Sequence, residues 1–212
     1  MFPKSLSALI LLFCGLSAAP AENQQPAILE SSELRDFEKL EEPRRKLIEI
    51  AIETSREMQG MPYLFGGNGP KEGGFDCSGA INYILRKIDL SPPRTSSAQF
   101  EWVRDNSSLH LVSKDATNVD HASFAHLKPG DLVFWSGTYM PTDGRKLGIT
   151  HVAVFMGYEK KDGRAVMINA TNGRSYRGKK GNGFGVYDFR VPGSKSKSRL
   201  IGYGTPPGLI KK

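Results

Sequence analysis

The chain has 212 residues, of which 39% are hydrophobic and 24% are charged. These values are ordinary for a globular protein, and a chain of this length can bury a hydrophobic core without disulfides or metals. No internal repeat or long linker divides the chain, so we expect one main domain with short extensions. The net charge of +7 would suit a polyanionic partner. No nucleic-acid-binding motif accompanies that charge, and a nucleic-acid partner is not expected.

Residues 1–21 have the three parts of a secretory signal peptide. Lys4 supplies the basic start, residues 6–16 form a short apolar run, and the small residues that follow offer a cleavage site. The run is too short for a membrane span, which needs about 20 residues. We therefore expect export to the periplasm or beyond the cell, with an uncleaved anchor as the alternative. Lipidation of Cys14 is disfavoured because Phe13 precedes it, where processing requires a small residue.

The segments that follow a short lead-in predict helices. Residues 31–40 place apolar side chains at helical spacing, and a second helix is expected over 43–60, with proline at its start and glycine at its end. Residues 61–74 are rich in glycine and proline and predict a loop. Asp76 can cap a third helix over 77–88, because its carboxylate can accept hydrogen bonds from the free amides there. The broad apolar stripe of this helix indicates packing against the core.

The second half of the chain predicts strands. A long polar connection with weak periodicity comes first, over 91–128. Asp162-Gly163 signals a hairpin between two of the strands. One helix that begins at a cysteine, followed by antiparallel strands, indicates an α+β fold. The predicted strands cover residues 130–135, 151–157, 165–170, 184–189 and 200–203.

Positive charge is concentrated near the carboxyl end of the chain. Between residues 174 and 199 the acidic side chain is Asp188, whereas many side chains are basic. Such a cluster can attract an anionic wall polymer or a membrane surface, and a solvated surface that keeps the protein soluble is the simpler alternative. The basic residues are Arg174, Arg177, Lys179, Lys180, Arg190, Lys195, Lys197 and Arg199.

Cys77 is the only cysteine left once the predicted signal peptide is removed, so no intramolecular disulfide can form. An unpaired cysteine in an oxidising compartment is a liability unless its reactivity is used. At the first turn of a helix, free amides and the helix dipole should lower the pKa of the thiol, and the amides could stabilise an oxyanion. Buried polar groups and bases should bring this pKa to near neutrality or below. Gly79 would keep this turn open for a substrate carbonyl. The alternative is a buried, inert cysteine.

Two further residues could complete a cysteine hydrolase site. His151 begins a strongly apolar predicted strand. Asn169 lies on the next strand, across the hairpin, where its amide could orient the imidazole; a structural asparagine bonded to backbone is the alternative. The histidines of the polar connection lack metal-ligand spacing, so neither a metal nor another cofactor is expected. They are His110, His121 and His126.

Five segments, in this order and spacing, resemble the NlpC family of bacterial cell-wall cysteine endopeptidases. The resemblance covers residues 48–170. It implies a papain-like α+β fold over residues 46–212, with N-terminal helices and the cysteine helix packed on an antiparallel sheet, after an extension at 22–45. The segments are Pro62-Tyr63-Leu64-Phe65-Gly66-Gly67, Phe75-Asp76-Cys77-Ser78-Gly79, Pro92-Pro93-Arg94-Thr95-Ser96-Ser97-Ala98-Gln99, Pro129-Gly130-Asp131-Leu132-Val133-Phe134 and His151-Val152-Ala153-Val154.

The resemblance also implies hydrolysis of peptidoglycan stem peptides, typically at the bond between γ-D-glutamate and a diamino acid. It assigns the nucleophile to Cys77, the base to His151 and the orienting group to Asn169, although many members carry histidine at the third position. The hydroxyl of Tyr63 would lie near the thiol. A monomer without a cofactor is expected. The residues expected to contact the substrate are Tyr63, Asp76, Ser78, Gly79, Arg94 and Thr150.

Residues 135–150 exceed the length expected for this family. With Tyr139, Met140 and Arg145, this insertion could form one wall of the substrate groove.

Two other functions are compatible with a site built from Cys77 and His151. One is an amidase or acyltransferase that acts on a lipid or another amide; the other is a wall-binding protein that keeps the fold without catalysis. The intact cysteine and histidine argue against the second.

Overall fold

The computed structural model describes residues 29–106, 108–142, 144 and 148–210. The predicted signal peptide, Cys14 and Arg145 lie outside these residues, so the expectations that concern them stay predictions. Within the described part of the chain, no helix is long and apolar enough to cross a membrane. The same residues contain no group of His, Cys, Asp or Glu side chains that could hold a metal ion.

Two of the predicted helices are confirmed. Helix α1 spans Glu42–Glu57 and has Pro43 in its first turn, where a missing amide hydrogen costs nothing. Helix α2 spans Cys77–Arg86 and presents a fully buried face to the core. That face consists of Ala80, Ile81, Ile84 and Leu85.

The predicted strands are confirmed, and they form an antiparallel sheet in the order β3-β10-β4-β5-β6-β9. The predicted hairpin joins β5 to β6. Two pairs of very short strands lie outside this sheet. The strands are β1 Asn68–Gly69, β2 Gly74–Phe75, β3 Leu109–Leu111, β4 Leu132–Ser136, β5 Ile149–Tyr158, β6 Ala165–Thr171, β7 Ser175–Tyr176, β8 Lys179–Lys180, β9 Gly183–Asp188 and β10 Arg199–Gly204.

The expected helix over residues 31–40 is wrong. The chain forms two short 3-10 turns instead, Ser31–Glu33 and Phe37–Lys39. Between them Leu34 is extended and pairs with the residue that follows β5. Both Leu34 and Phe37 are buried in the core shared by α1 and α2, so pairing with the sheet overrides the helical spacing of this segment.

The long polar connection expected over residues 91–128 holds regular structure that its weak periodicity does not predict. It contains a third helix, α3 (Ser96–Asp105), and the edge strand β3. Thr95 caps α3, because its hydroxyl accepts a hydrogen bond from the amide of Ala98 at 3.2 Å. The buried face of α3 is half polar, which explains the weak periodicity of its sequence. That face consists of Ser96, Ser97, Gln99, Phe100 and Val103.

The central strand β5 is buried on both sides. Val152 and Val154 belong to the core that contains α2, whereas Ala153 and Phe155 belong to a second core on the opposite face of the sheet. Because both faces are covered, the strand is a continuous apolar run rather than an alternating one. This packing brings the first residues of β5 beside the first residue of α2, Cys77.

Candidate active site

The beginning of α2 is held by the carboxylate of Asp76. Its Oδ1 accepts the amide N–H of Gly79 at 2.6 Å and the hydroxyl of Ser78 at 3.1 Å. Its Oδ2 accepts the amide N–H of Gly66 at 3.1 Å. The predicted helix cap is therefore confirmed. Cys77 follows as the first residue of the helix and is 5% exposed.

Arg94 fastens the loop before α2 to the same carboxylate. Its guanidinium donates to both oxygens of Asp76, at 3.0 and 2.9 Å, and to the hydroxyl of Ser78 at 3.0 Å. It also donates to the carbonyls of Gly66 and Gly67, at 2.7 and 3.0 Å. Charge-assisted hydrogen bonds of this kind are the strong ones, so Arg94 fixes the loop. Its predicted contact with substrate stays a prediction.

Gly79 lies in close contact with the backbone of the loop that precedes α2. A Cβ atom at this position would lie 2.2 Å from the carbonyl oxygen of Gly67 and 3.1 Å from Oδ1 of Asp76. The close approach of the loop to α2 therefore requires glycine here. The predicted contact between Gly79 and substrate stays a prediction.

Gly79→Ala should lower the free energy of unfolding by about 1–3 kcal/mol, because the loop backbone must move to admit the methyl group. Urea unfolding followed by circular dichroism measures the change. Gly193→Ala is the matched control, since a Cβ there would meet nothing within 4 Å. Equal stability of the two variants would contradict the tight approach of the loop to the helix.

The thiol of Cys77 packs against the first residues of β5, and its Sγ lies 3.9 Å from the carbonyl oxygen of Thr150. The expected low pKa is wrong. Burial raises the pKa of Cys77 to about 12, and the negative charge of Asp76 adds to the rise. Backbone amides at the start of α2 and in β5 oppose this rise without cancelling it. The resting site therefore holds a neutral thiol.

His151 is buried, and its Nε2 lies 2.6 Å from Nδ2 of Asn169. Burial lowers the pKa of His151 well below its usual range, and the positive charge of Arg174 lowers it further. The imidazole is therefore neutral at rest and can accept a proton. The ring of Trp135, on the neighbouring strand, lies 5.5 Å from that of His151 between centroids.

The orientation of the Asn169 amide decides which imidazole nitrogen can act as a base. Asn169 is fully buried, and its Oδ1 has no hydrogen-bond partner among the described residues. Turning the amide over exchanges its oxygen and nitrogen and lets Oδ1 accept the Nε2–H of His151. Oδ1 then has a partner, and Nδ2 takes the position in which Oδ1 had none among the described residues. In this orientation Nε2 of His151 keeps its hydrogen. Nδ1 of His151 is left as the nitrogen that can take a proton.

Tyr63 and Thr150 contribute hydroxyls to the same region. Burial raises the pKa of Tyr63 above its usual range, and the negative charges possible at Cys77 and Asp76 add to the rise. The phenol therefore remains a hydrogen-bond donor. The hydroxyl of Thr150 is already engaged by Thr138, whose own hydroxyl lies 2.8 Å away and whose amide donates to it at 3.0 Å.

Two adjoining grooves form a cleft across the thiol and the imidazole. The imidazole-side groove is lined by residues that include His151 and Thr150 and has a volume of about 780 Å³. The thiol-side groove is lined by residues that include Cys77 and Ser78 and has a volume of about 300 Å³. These sizes suit a small ligand such as a short peptide. The residues that line both grooves are Tyr63, Phe65 and Tyr139.

The insertion over residues 135–150 contributes to the wall of this cleft. The ring of Tyr139 packs edge-on against that of Phe65, with 5.6 Å between centroids, and both lie over the junction of the two grooves. Met140 is 88% exposed and lines neither groove. Arg145 lies outside the described residues.

Two residues beside the imidazole are not among the predicted site residues. Trp135 is predicted to end a strand and to begin the insertion, with no role beside His151, although the register places it directly opposite that residue. Arg174 was noted only as one of many basic residues, yet it lines the imidazole-side groove. The pairing register of β4 and β5 is the signal that would identify Trp135. No local sequence pattern marks Arg174.

Alkylation of Cys77 by iodoacetamide should accelerate steadily between about pH 6 and pH 9 without a plateau, because the thiolate fraction keeps growing below the thiol pKa. Mass spectrometry of the intact protein measures the rate. An unstructured peptide with one cysteine, whose thiol pKa is about 8.5, is the control and should react faster at each pH. A rate already maximal below about pH 7 would instead reveal a resting thiolate.

A helix that begins at a cysteine and packs on an antiparallel sheet bearing a histidine is the arrangement of a papain-like fold. The model of the NlpC/P60 family matches residues 60–189. The chain belongs to this family, which confirms the resemblance seen in the sequence. The match includes both Cys77 and His151.

Three curated relatives are similar to part of the chain. "Probable endopeptidase p60" of Listeria monocytogenes is 35% identical over 138 residues, which are 64% of this chain and 22% of that protein. "Bifunctional muramidase/DL-endopeptidase CwlT" of Bacillus subtilis is 33% identical over 109 residues, 51% of this chain and 26% of that protein. "Murein DD-endopeptidase MepH" of Escherichia coli is 32% identical over 117 residues, 55% of this chain and 35% of that protein. The chain thus matches only about a fifth to a third of the length of these relatives.

Proposed function

We propose that the chain is an exported endopeptidase that cuts an amide bond in peptidoglycan stem peptides through Cys77, His151 and Asn169. The observation that carries the proposal is the meeting of α2 with β5. The thiol lies 3.9 Å from the carbonyl oxygen of the residue before His151, and Asn169 lies 2.6 Å from the imidazole. Membership of the NlpC/P60 family and the endopeptidase names of the relatives support it.

Acylation begins with a neutral thiol and a neutral imidazole. As Cys77 attacks the substrate carbonyl, a carbon–sulfur bond forms and the thiol proton passes to His151. Negative charge moves to the carbonyl oxygen, where the amides at the start of α2 and the hydroxyl of Tyr63 can donate hydrogen bonds. Asn169 keeps the imidazole in the required tautomer and orientation.

Collapse of this intermediate breaks the carbon–nitrogen bond. His151 gives its proton to the leaving amine, so that the first product departs as a neutral amine. Water then attacks the thioester while the imidazole accepts one of its protons. The thiolate that leaves takes this proton back, which restores Cys77 and releases a carboxylic acid.

This chemistry assigns the two halves of the substrate to the two grooves. The acyl half is bonded to Cys77 and therefore occupies the thiol-side groove. The leaving amine must lie within reach of His151 and therefore occupies the imidazole-side groove. The cleft runs past the Phe65 and Tyr139 rings, which cover the scissile bond between the two halves.

The bond between γ-D-glutamate and a diamino acid is the proposed target. The name of the Bacillus subtilis relative, a DL-endopeptidase, supports this choice. The Escherichia coli relative is named a DD-endopeptidase, so cleavage at a bond between two D-centres is the second candidate. Both candidates use the same attack by Cys77 and differ only in the residues that the grooves accept.

Export and wall attachment are part of the same proposal. The signal-peptide pattern of residues 1–21 supports export to the periplasm or the cell exterior. The basic segment over residues 174–199 would favour approach to anionic wall polymers or a membrane surface. A monomer suffices for the proposed reaction, since all the proposed catalytic side chains come from one chain.

Digestion of purified muropeptides, followed by mass spectrometry, tests the proposal. A new amino terminus on the diamino acid would identify the DL bond, and a product shortened at a D,D-bond would identify the second candidate. Release of fatty acid from lipid vesicles without muropeptide cleavage would favour a lipid amidase or acyltransferase. Wall binding without any product would favour a non-catalytic role.

A further inference from the structure

Arg174 is a cation that faces no anionic side chain among the residues that the structure describes. Among the described residues its guanidinium has no hydrogen bond or ion pair, and it lies over the indole of Trp135, 4.4 Å from the ring centroid. By contrast Arg44, Arg94 and Arg177 each pair with a carboxylate. An arginine that is largely withdrawn from water without a counter-charge is costly, and burial lowers the pKa of Arg174 to about 10.

The surroundings of Arg174 favour an anionic ligand. Arg174 lines the imidazole-side groove, and Lys197 lines it as a second cation. No Asp or Glu is among the described residues that line this groove, whereas the thiol-side groove contains Asp76. The planar guanidinium is suited to a carboxylate, which it can bind through two parallel hydrogen bonds. Its contact with the ring of Trp135 restricts the guanidinium before a ligand arrives.

The position of the groove identifies which carboxylate would bind. Under the proposed function, the diamino acid is the leaving residue and lies beside His151. Its reacting nitrogen must face the imidazole, so its side chain can extend along the groove towards Arg174. A diamino acid with a carboxylate at the far end of its side chain, such as meso-diaminopimelate, presents an anion there. Lysine ends in an amine alone.

We propose that Arg174 forms a subsite for the free side-chain carboxylate of the diamino acid in the leaving peptide, and so selects dicarboxylic diamino acids over lysine. This inference rests on the proposed function. A bound carboxylate would also screen the positive charge that depresses the basicity of His151. A substrate that carries this carboxylate would thereby make His151 a stronger general base.

Three synthetic peptides of the form L-Ala-γ-D-Glu-X-D-Ala-amide test the inference. X is meso-diaminopimelate, the same residue with its side-chain carboxyl amidated, or L-lysine. Wild type should cleave the meso-diaminopimelate peptide with a kcat/KM about 10- to 100-fold higher than that for the amidated or the lysine peptide. A ratio of this size corresponds to the free energy of one charge-assisted hydrogen-bond pair. Arg174→Gln should remove this preference while still cleaving the amidated peptide, and Arg174→Lys should keep part of it.

Lys179→Gln is the matched control, because it removes the same charge from the same basic segment but does not line the groove. It should keep the wild-type preference. Thermal unfolding verifies that the Arg174 variants are folded. Equal cleavage of the three peptides by wild type would overturn the inference and leave the proposed function standing. Failure of wild type to cleave any of them would overturn the proposed function itself.

Discussion

Cys77→Ala should reduce the rate of stem-peptide cleavage by at least about a thousandfold, because the acyl-enzyme cannot form without the thiol. The substitution removes one buried sulfur atom, so the loss of stability should be only about 1 kcal/mol. Chromatographic quantitation of the released peptide measures the rate, and thermal unfolding verifies that the variant is folded. Unchanged cleavage by this variant would refute the proposed nucleophile.

His151→Ala should cause a loss of similar size, because the thiol proton then has no acceptor. The Cys77→Ala and His151→Ala double variant should be no slower than either single variant, since groups that act in one proton transfer are strongly non-additive. Asn169→Ala should cause a smaller loss, because Asn169 acts through the imidazole. A double variant whose loss is the sum of the two single losses would show that the side chains act independently.

The parts of the site that the sequence predicted well depend on neighbours in the chain. Asp76 was predicted to cap α2, and its carboxylate does accept the amide of Gly79, three residues on. The strand that begins near His151 follows from an apolar run, and its partner from the hairpin signal at Asp162-Gly163. Local hydrogen bonding and periodicity depend on residues that are close together in the chain, and a short stretch of sequence is therefore enough to predict them.

The parts that the sequence missed depend on contacts between distant segments. Gln99 looked like a loop residue, but it is fully buried and donates to the carbonyls of Ser78 and Pro93 at 3.1 and 2.9 Å. These bonds satisfy the amide nitrogen of Gln99, whereas its Oε1 has no partner among the described residues. Periodicity cannot show contacts of this kind. The pKa of the Cys77 thiol differs from the expected one for the same reason, because the burial of Cys77 depends on β5 and outweighs the helix amides.

A buried ion pair far from the thiol fixes the first helix of the fold. Arg44 on α1 donates to Oδ1 of Asp131 at 2.9 Å, and their side chains are 6% and 3% exposed. Arg44 also donates to the carbonyl of Pro129 and the hydroxyl of Thr205, both at 2.7 Å. It thereby joins α1 to the turn before β4 and to the residue that follows β10.

Arg44→Met should lower the free energy of unfolding by about 3–5 kcal/mol, because it leaves the Asp131 carboxylate buried without its cation. Urea unfolding followed by tryptophan fluorescence measures the loss. Arg45→Met is the matched control on the same helix. Its side chain is 37% exposed and its guanidinium lies 3.8 Å from the carboxylate of Glu38. Exposed pairs of this kind contribute about 0–1 kcal/mol.

Asp131→Asn, added to Arg44→Met, distinguishes two causes of the lost stability. One is the loss of packing at Arg44, and the other is the buried Asp131 carboxylate without its cation. Asp131→Asn keeps an oxygen that can accept the amide of Lys128, which donates to Asp131 at 3.0 Å, but it carries no charge. The Arg44→Met and Asp131→Asn double variant should therefore be more stable than Arg44→Met alone, because burying an amide costs less than burying an unpaired carboxylate. If the double variant were the less stable of the two, lost packing at Arg44, and not the stranded charge, would be the main cost.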